Sequence, residues 1–155
     1  MLVIVDIDLT IADARPRLEK AGKMPHRTHP HFQRWLDTLQ PKGALEKDPP
    51  IPVMCDLVAF LAYPANIVYL TGRDSQYKDE TENWLDFHCL PKGDLYMRPH
   101  GNKQSAKAYK ETIVKKLKKK YGIGIAIDDD IEGDCGEMYR KHGFVHLKVL
   151  LPEVK

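Results

Sequence analysis

Short apolar runs recur along the chain, separated by stretches with helical spacing. Leu2–Val5, Asn66–Leu70, Asp94–Met97, Gly124–Ile127 and Phe144–Val149 read as strands. Most are β-branched and apolar throughout rather than alternating, as expected of strands covered on both faces of a parallel sheet. Between them, helical spacing predicts helices over about 53–63, 75–88, 105–120 and 132–142, the last stopped by Gly143. The alternation of strand and helix predicts an α/β fold: a three-layer, Rossmann-like parallel sheet of about five strands. The chain shows no internal repeat and no low-complexity tract.

One stretch breaks the alternation. Residues 13–50 carry Pro16, Pro25, Pro30, Pro41, Pro49 and Pro50, and only Phe32–Leu36 has helical character there. An excursion of this length after the first strand of a compact domain is more often functional than a mere linker. It is expected to form a small lid or cap over the strand ends. His26, His29 and His31 lie within it without metal-ligand spacing, and read as decoration of that lid.

Composition narrows the picture. The 155 residues, 43% hydrophobic and 30% charged, suit one domain spanning 1–155. A net charge of +2 forces neither a nucleic-acid nor a membrane partner. No apolar run reaches the length of a membrane span, and no leader of the secretory type opens the chain. Cys55, Cys89 and Cys135 lie too far apart for a metal motif or a disulfide framework. A reduced, cytoplasmic protein is therefore expected; a homo-oligomer is compatible with the sequence.

Ligands of open parallel sheets bind outside the carboxyl ends of the strands. The residues leaving those ends are Asp6 and Asp8, then Thr71 and Arg73, then Asp128 and Asp129. Carboxylates gathered from separate strands repel one another unless a cation lies between them. Hard oxygen donors suit Mg²⁺, which takes one or two carboxylates and keeps water or phosphate oxygens. A carboxylate can also act as a nucleophile through an aspartyl-phosphate. The combination predicts metal-assisted phosphoryl transfer. Each acid also has a structural reading: Asp8 can cap a turn, and Asp128 or Asp130 the following helix, the better assignment for Asp130.

DIDLT at 6–10, TGR at 71–73 and IDDD at 127–130 resemble three motifs of the haloacid-dehalogenase-like (HAD-like) phosphatases, in order and in spacing. Within that superfamily, TGRD, YMRPHGN and AIDDD are similar to the 3′-phosphatase domain of bacteriophage polynucleotide kinases. The resemblance implies Asp6 as nucleophile, Asp8 as general acid and then base, and Thr71 as a hydrogen-bond partner of the phosphoryl group. It implies Mg²⁺ held by Asp129, the side chain of Asp6 and the backbone carbonyl of Asp8, with Asp128 in support. Two positions depart from the pattern. Leu9 stands where the relatives carry glycine, and Ala106 where they carry an aspartate before the motif lysine.

The family also requires a lysine beside the nucleophile, and residues 103–120 contain eight. With Tyr109 set at 0° and steps of about 100°, Ile113, Leu117 and Tyr121 fall near 40°, 80° and 120°. Lys110, near 100°, lies inside this apolar stripe, whereas Lys115, Lys118 and Lys119 fall on the opposite side. A buried lysine needs an anionic partner. Lys110 is therefore the candidate, with Lys107 in reserve; Lys110-Glu111-Thr112-Ile113 also resembles the relatives' sequence. Arg73, beside Gly72, is expected at the phosphate; the resemblance implies Arg17 there too, with Arg15 competing for its place, and Arg98 is expected at the entrance.

These features predict a Mg²⁺-dependent phosphomonoesterase whose partner is a phosphorylated nucleic-acid end, in a bacterial or phage-infected cell. The alternatives are a phosphatase for free nucleotides or small phosphoesters, and a non-catalytic module that binds nucleic acid through its lysine face. Trp35, Tyr77 and Trp84 could stack unpaired bases but are scattered, and Trp84 reads as core. No GxxxxGK[ST] loop is present, so a kinase half is not expected from this sequence.

Overall fold

A computed structural model of the chain describes residues 1–23, 31–102, 104–131 and 133–152. His26, His29 and Lys103 lie outside the described residues. Five strands, β1 (Leu2–Val5), β2 (Asn66–Asp74), β3 (Asp94–Arg98), β4 (Ile125–Asp128) and β5 (Val145–Lys148), form one all-parallel sheet in the order β3-β2-β1-β4-β5. Among the described residues, six helices accompany them: α1 (Arg15–Ala21), α2 (Phe32–Leu39), α3 (Pro52–Ala62), α4 (Lys78–Phe87), α5 (Ala106–Tyr121) and α6 (Cys135–Lys141).

The strands carry apolar side chains on both faces, and both are covered. Leu2, Ile4, Val68, Leu70 and Ala126 pack against Tyr109, Ile113 and Leu117 of α5 and Met138 and Tyr139 of α6. Val3, Val5, Ile67, Tyr69 and Ile127 pack on the other face against Val58 of α3 and Trp84 and Leu85 of α4. This is the expected three-layer α/β arrangement, and Trp84 belongs to its core. Gly124 permits β4 to start beside β1, since a Cβ there would lie 2.0 Å from the Leu2 carbonyl oxygen.

The structure departs from the sequence reading in three places. α1 lies where the sequence predicts no helix; its Pro16 sits in the first turn, where the missing N–H costs nothing. α6 starts later than position 132, after Gly133 turns the chain at φ 76°. β2 continues through Thr71 and Gly72 to Asp74, with a register break against β3 between Thr71 and Asp74.

The excursion after β1 is pinned at its neck. Ala12 bridges Pro50, Asp13 N–H donates to the Pro49 carbonyl (2.7 Å) and Ile51 N–H to the Ile11 carbonyl (2.7 Å). A 3₁₀ turn at Leu45–Lys47 lies against α4, where Trp84 Nε1 donates to the Asp48 carbonyl (2.8 Å). Among the described residues, no helix is long and apolar enough to cross a membrane.

Candidate active site

β1, β2 and β4 are the three central strands, and their carboxyl ends meet at one cavity of about 210 Å³. Its charged floor comprises Asp6, Asp8, Lys110, Asp128 and Asp129; Gly72, Ala106 and Arg98 also line it. Opposite stand Leu18 of α1 and Trp35, Leu36 and Leu39 of α2. The part of the excursion described here therefore reaches the strand ends.

Lys110 is buried on the apolar face of α5, as its helical phase requires. Its Nζ lies 2.7 Å from Asp128 Oδ2 and 3.0 Å from Asp6 Oδ2. The start of α5 lies close to β2 here: a Cβ on Gly72 would sit 3.4 Å from that of Ala106, at van der Waals contact. The reserve candidate, Lys107, instead pairs with Asp134 at 3.6 Å. Asp128 is held on both oxygens: Oδ1 accepts from Asp130 N–H (2.8 Å), and Oδ2 also accepts from Tyr139 Oη (3.3 Å). Asp130 meets the structural expectation, accepting from Gly136 N–H in the first turn of α6 (2.9 Å).

Carboxylate oxygens of Asp6, Asp128 and Asp129 lie within 4.8 Å of one another. Burial drives the Asp6 carboxyl well above the usual range, opposed by Lys110 and reinforced by Asp128, Asp129 and Asp8. Burial and then Asp128 push Asp129 up to about 6. Burial would raise Asp128 too, but Lys110 holds it below its ordinary value. Burial alone would lower Lys110, yet Asp6 and Asp128 raise it well above the usual lysine range. One ammonium thus serves three close carboxyls. Hard oxygen donors in mutual repulsion are what a small divalent cation fits.

Asp8 has a different neighbourhood. Arg17 Nη2 donates to its Oδ1 at 2.6 Å and Arg73 Nη2 at 2.8 Å. Burial pushes this carboxyl up, but Arg73 and Arg17 outweigh it and bring it down to about 2. Both guanidiniums also bind Asp48, Arg17 through Nη2 at 2.7 Å and Arg73 through Nη2 at 3.1 Å. Arg17 Nη1 donates to the Leu39 carbonyl (2.8 Å), which fixes the end of α2.

This quartet sets the position of the two arginines in the ligand-free chain. Arg73 is fully buried and Arg17 nearly so, and neither lines the cavity, because Asp48 and Asp8 engage their guanidiniums. Arg15 turns away onto Asp13, at 2.6 Å. The Thr71 side chain is likewise buried behind the cavity wall, its Oγ1 accepting from Arg73 N–H (3.1 Å). Arg98 and Gly72 do face the cavity. Asp48 was missed by the sequence reading; an acid before Pro49-Pro50 carries no spacing signal to mark it. The lysine face of α5 lies elsewhere. Lys120 Nζ is 4.0 Å from Asp94, the first residue of β3, so that end of the helix is at the amino edge of the sheet, away from the cavity.

The parallel sheet, with acids from β1 and β4 converging on a buried lysine, defines a HAD-like phosphatase. The family model described as polynucleotide kinase PNKP phosphatase domain matches residues 38–151, and the chain belongs to that family. Solved structures share the fold. A chain of a Pnkp1/Rnl/Hen1 complex is 18% identical with a TM-score of 0.72, covering 96% of this chain and 44% of its own. A haloacid dehalogenase-like hydrolase from Streptococcus pneumoniae is 14% identical with a TM-score of 0.66, covering 95% and 83%. This chain thus spans less than half the length of the first of these. No curated protein matches the sequence.

Proposed function

We propose that the protein is a Mg²⁺-dependent phosphomonoesterase that removes 3′-phosphates from nucleic-acid ends through an aspartyl-phosphate on Asp6. The observation that carries this reading is the placement of Asp6 Oδ2 at the cavity floor, 3.0 Å from Lys110 Nζ and clustered with Asp128 and Asp129. The family supports phosphatase chemistry and a polynucleotide substrate.

In the proposed reaction, an Asp6 carboxylate oxygen attacks phosphorus while the bond to the leaving 3′-oxygen breaks. Asp8 supplies the proton for that oxygen, and the product leaves as a hydroxyl. Water then attacks the phospho-Asp6, giving its proton to Asp8, and inorganic phosphate departs with the Asp6 carboxylate restored. Lys110 offsets the charge that Asp6 and the phosphoryl oxygens bring together. Asp6, Asp129 and the Asp8 carbonyl would hold Mg²⁺, with Asp128 in support; the ion supplies charge neutralisation at the phosphoryl oxygens. Gly72, which lines the cavity from β2, would donate its N–H to the same oxygens.

Arg17 and Arg73 keep Asp8 ionised in the free protein, the state needed to accept a proton from water. The first step needs Asp8 protonated. A guanidinium drawn from Asp8 to the incoming phosphate would release the carboxyl for that step and provide the phosphate contact expected of these arginines. Residues 13–50 would act as the lid. This reading places the enzyme in the cytoplasm of a bacterial or phage-infected cell.

The test is phosphate release from a panel of 3′-phosphorylated oligonucleotides, 5′-phosphorylated oligonucleotides and nucleoside monophosphates, with Mg²⁺ or EDTA. Preferred turnover of the 3′-phosphorylated oligonucleotide, silenced by EDTA and absent in Asp6→Asn, is expected. Preference for the mononucleotides would overturn the nucleic-acid assignment, and full activity in EDTA would overturn the metal site.

A further inference from the structure

One buried hydroxyl reaches the carboxylates from behind and has no part in the proposed chemistry. Tyr139, on α6, is fully buried and does not line the cavity, so its hydroxyl meets no substrate. Its Oη donates to Asp128 Oδ2 at 3.3 Å, the oxygen that also takes Lys110 Nζ at 2.7 Å. The ring is fixed in place: it stacks on His146 of β5, with centroids 5.8 Å apart and planes 22° apart. α6 can lie this close to β5 because residue 136 is glycine; a Cβ there would sit 2.5 Å from His146 Nδ1. A phenylalanine would fill the same space and spare the core a polar atom. The hydroxyl therefore has to be explained by what it touches.

Asp128 accepts from Asp130 N–H on Oδ1, and from Lys110 and Tyr139 on Oδ2. The amide and the packed ring are rigid donors. Lys110 is the mobile one, on a flexible four-carbon stem, and its ammonium is divided between Asp128 and Asp6, 3.0 Å away. How it divides depends on how strongly each carboxylate attracts it. A hydroxyl dipole aimed at Asp128 Oδ2 weakens the pull of that oxygen. Resting on the aspartyl-phosphate reading, we propose that Tyr139 is a positioning residue: its hydroxyl, sharing Asp128 Oδ2 with Lys110, keeps the ammonium available to Asp6 and to the phosphoryl group in transfer. Without it, Asp128 draws Lys110 away from the nucleophile. Tyr139 touches neither substrate nor reacting atoms and acts through Lys110.

The experiment is a double-substitution cycle, measured as kcat and KM on a 3′-phosphorylated oligonucleotide, for wild type, Tyr139→Phe, Lys110→Met and the two combined. Tyr139→Phe keeps the ring and its stacking, and urea unfolding checks that it folds. It is expected to lower kcat by about 2- to 12-fold, the range of a single hydrogen bond, with KM unchanged. In the Lys110→Met background the same substitution is expected to leave kcat unchanged, because the group through which the hydroxyl acts is gone. Lys110→Gln takes the place of Lys110→Met if the latter does not fold. An equal loss in both backgrounds, a loss carried by KM, or no loss in Tyr139→Phe overturns the proposal and leaves the 3′-phosphatase reading intact. A wild-type enzyme that turns over p-nitrophenyl phosphate but no 3′-phosphorylated end overturns that reading instead, and the cycle is then decided on the small ester. Turnover of neither overturns both.

Discussion

Asp6 and Lys110 face each other 3.0 Å apart, both buried, at the point where β1 meets α5. The same ammonium is closer still to Asp128. It is the compensating charge for a floor that burial would otherwise leave strongly anionic.

Removing that charge leaves buried carboxylates uncompensated. Lys110→Met, which keeps the volume of the side-chain stem, is expected to destabilise the protein by about 3–5 kcal/mol at pH 7. It should lower kcat by about 100-fold or more. Urea denaturation and steady-state kinetics check both, with exposed Lys118→Met as the reference. Equal effects from the two substitutions would show that the helical phase does not set the role.

The pH dependence follows from Asp129. Its carboxyl is raised to about 6 in the folded protein, against about 3.9 in an unfolded chain. A raised group contributes stability that is full below the unfolded value and is lost as pH climbs through the folded one. In EDTA, Asp129→Asn should therefore melt higher than wild type at pH 8 and equally at pH 4. A constant difference across that range would contradict the shift.

Metal binding should show without turnover. Mg²⁺ is expected to raise the melting temperature of the wild-type protein, by the equivalent of about 2.7 kcal/mol at a hundredfold excess over Kd. EDTA should reverse the rise, and Asp129→Asn should lack it. A rise that persists in this variant would place the ion elsewhere.

Asp48 holds two guanidiniums out of solvent. Asp48→Ala should cost about 3–5 kcal/mol in denaturant unfolding, because it leaves Arg17 and Arg73 sharing Asp8 alone. Lys118→Ala, on an exposed face, should stay within about 0.5 kcal/mol. Of the Asp48 variants, Asp48→Asn should fall between wild type and Asp48→Ala, since its amide oxygen still accepts hydrogen bonds. Phosphatase activity should fall in the same order as Asp8 loses its support.

Much of the fold was legible because its signals are local. β-branched runs such as Leu2–Val5 and Ile125–Ile127 can pack only in a covered sheet, and the stripe through Tyr109, Ile113 and Leu117 sets which face of α5 turns inward. That phase was enough to select Lys110 from eight lysines. The Asp130 side chain was also read correctly as structural. α1 is not legible in the sequence because its seven residues are too few to show a helical repeat.

What the sequence by itself determined is the sheet, the acids at its strand tips and the lysine behind them, since each depends on residues near it in the chain. Only the tertiary structure decided where the arginines point. Asp48, from the far end of the excursion, pairs with guanidiniums from α1 and β2 and draws both away from the cavity. Tertiary packing also set Trp35 opposite Asp6 and carried the outer lysines of α5 to the other end of the sheet. Partner choice among buried charges depends on which side chains folding brings within a few ångströms, and no spacing along the chain encodes that distance.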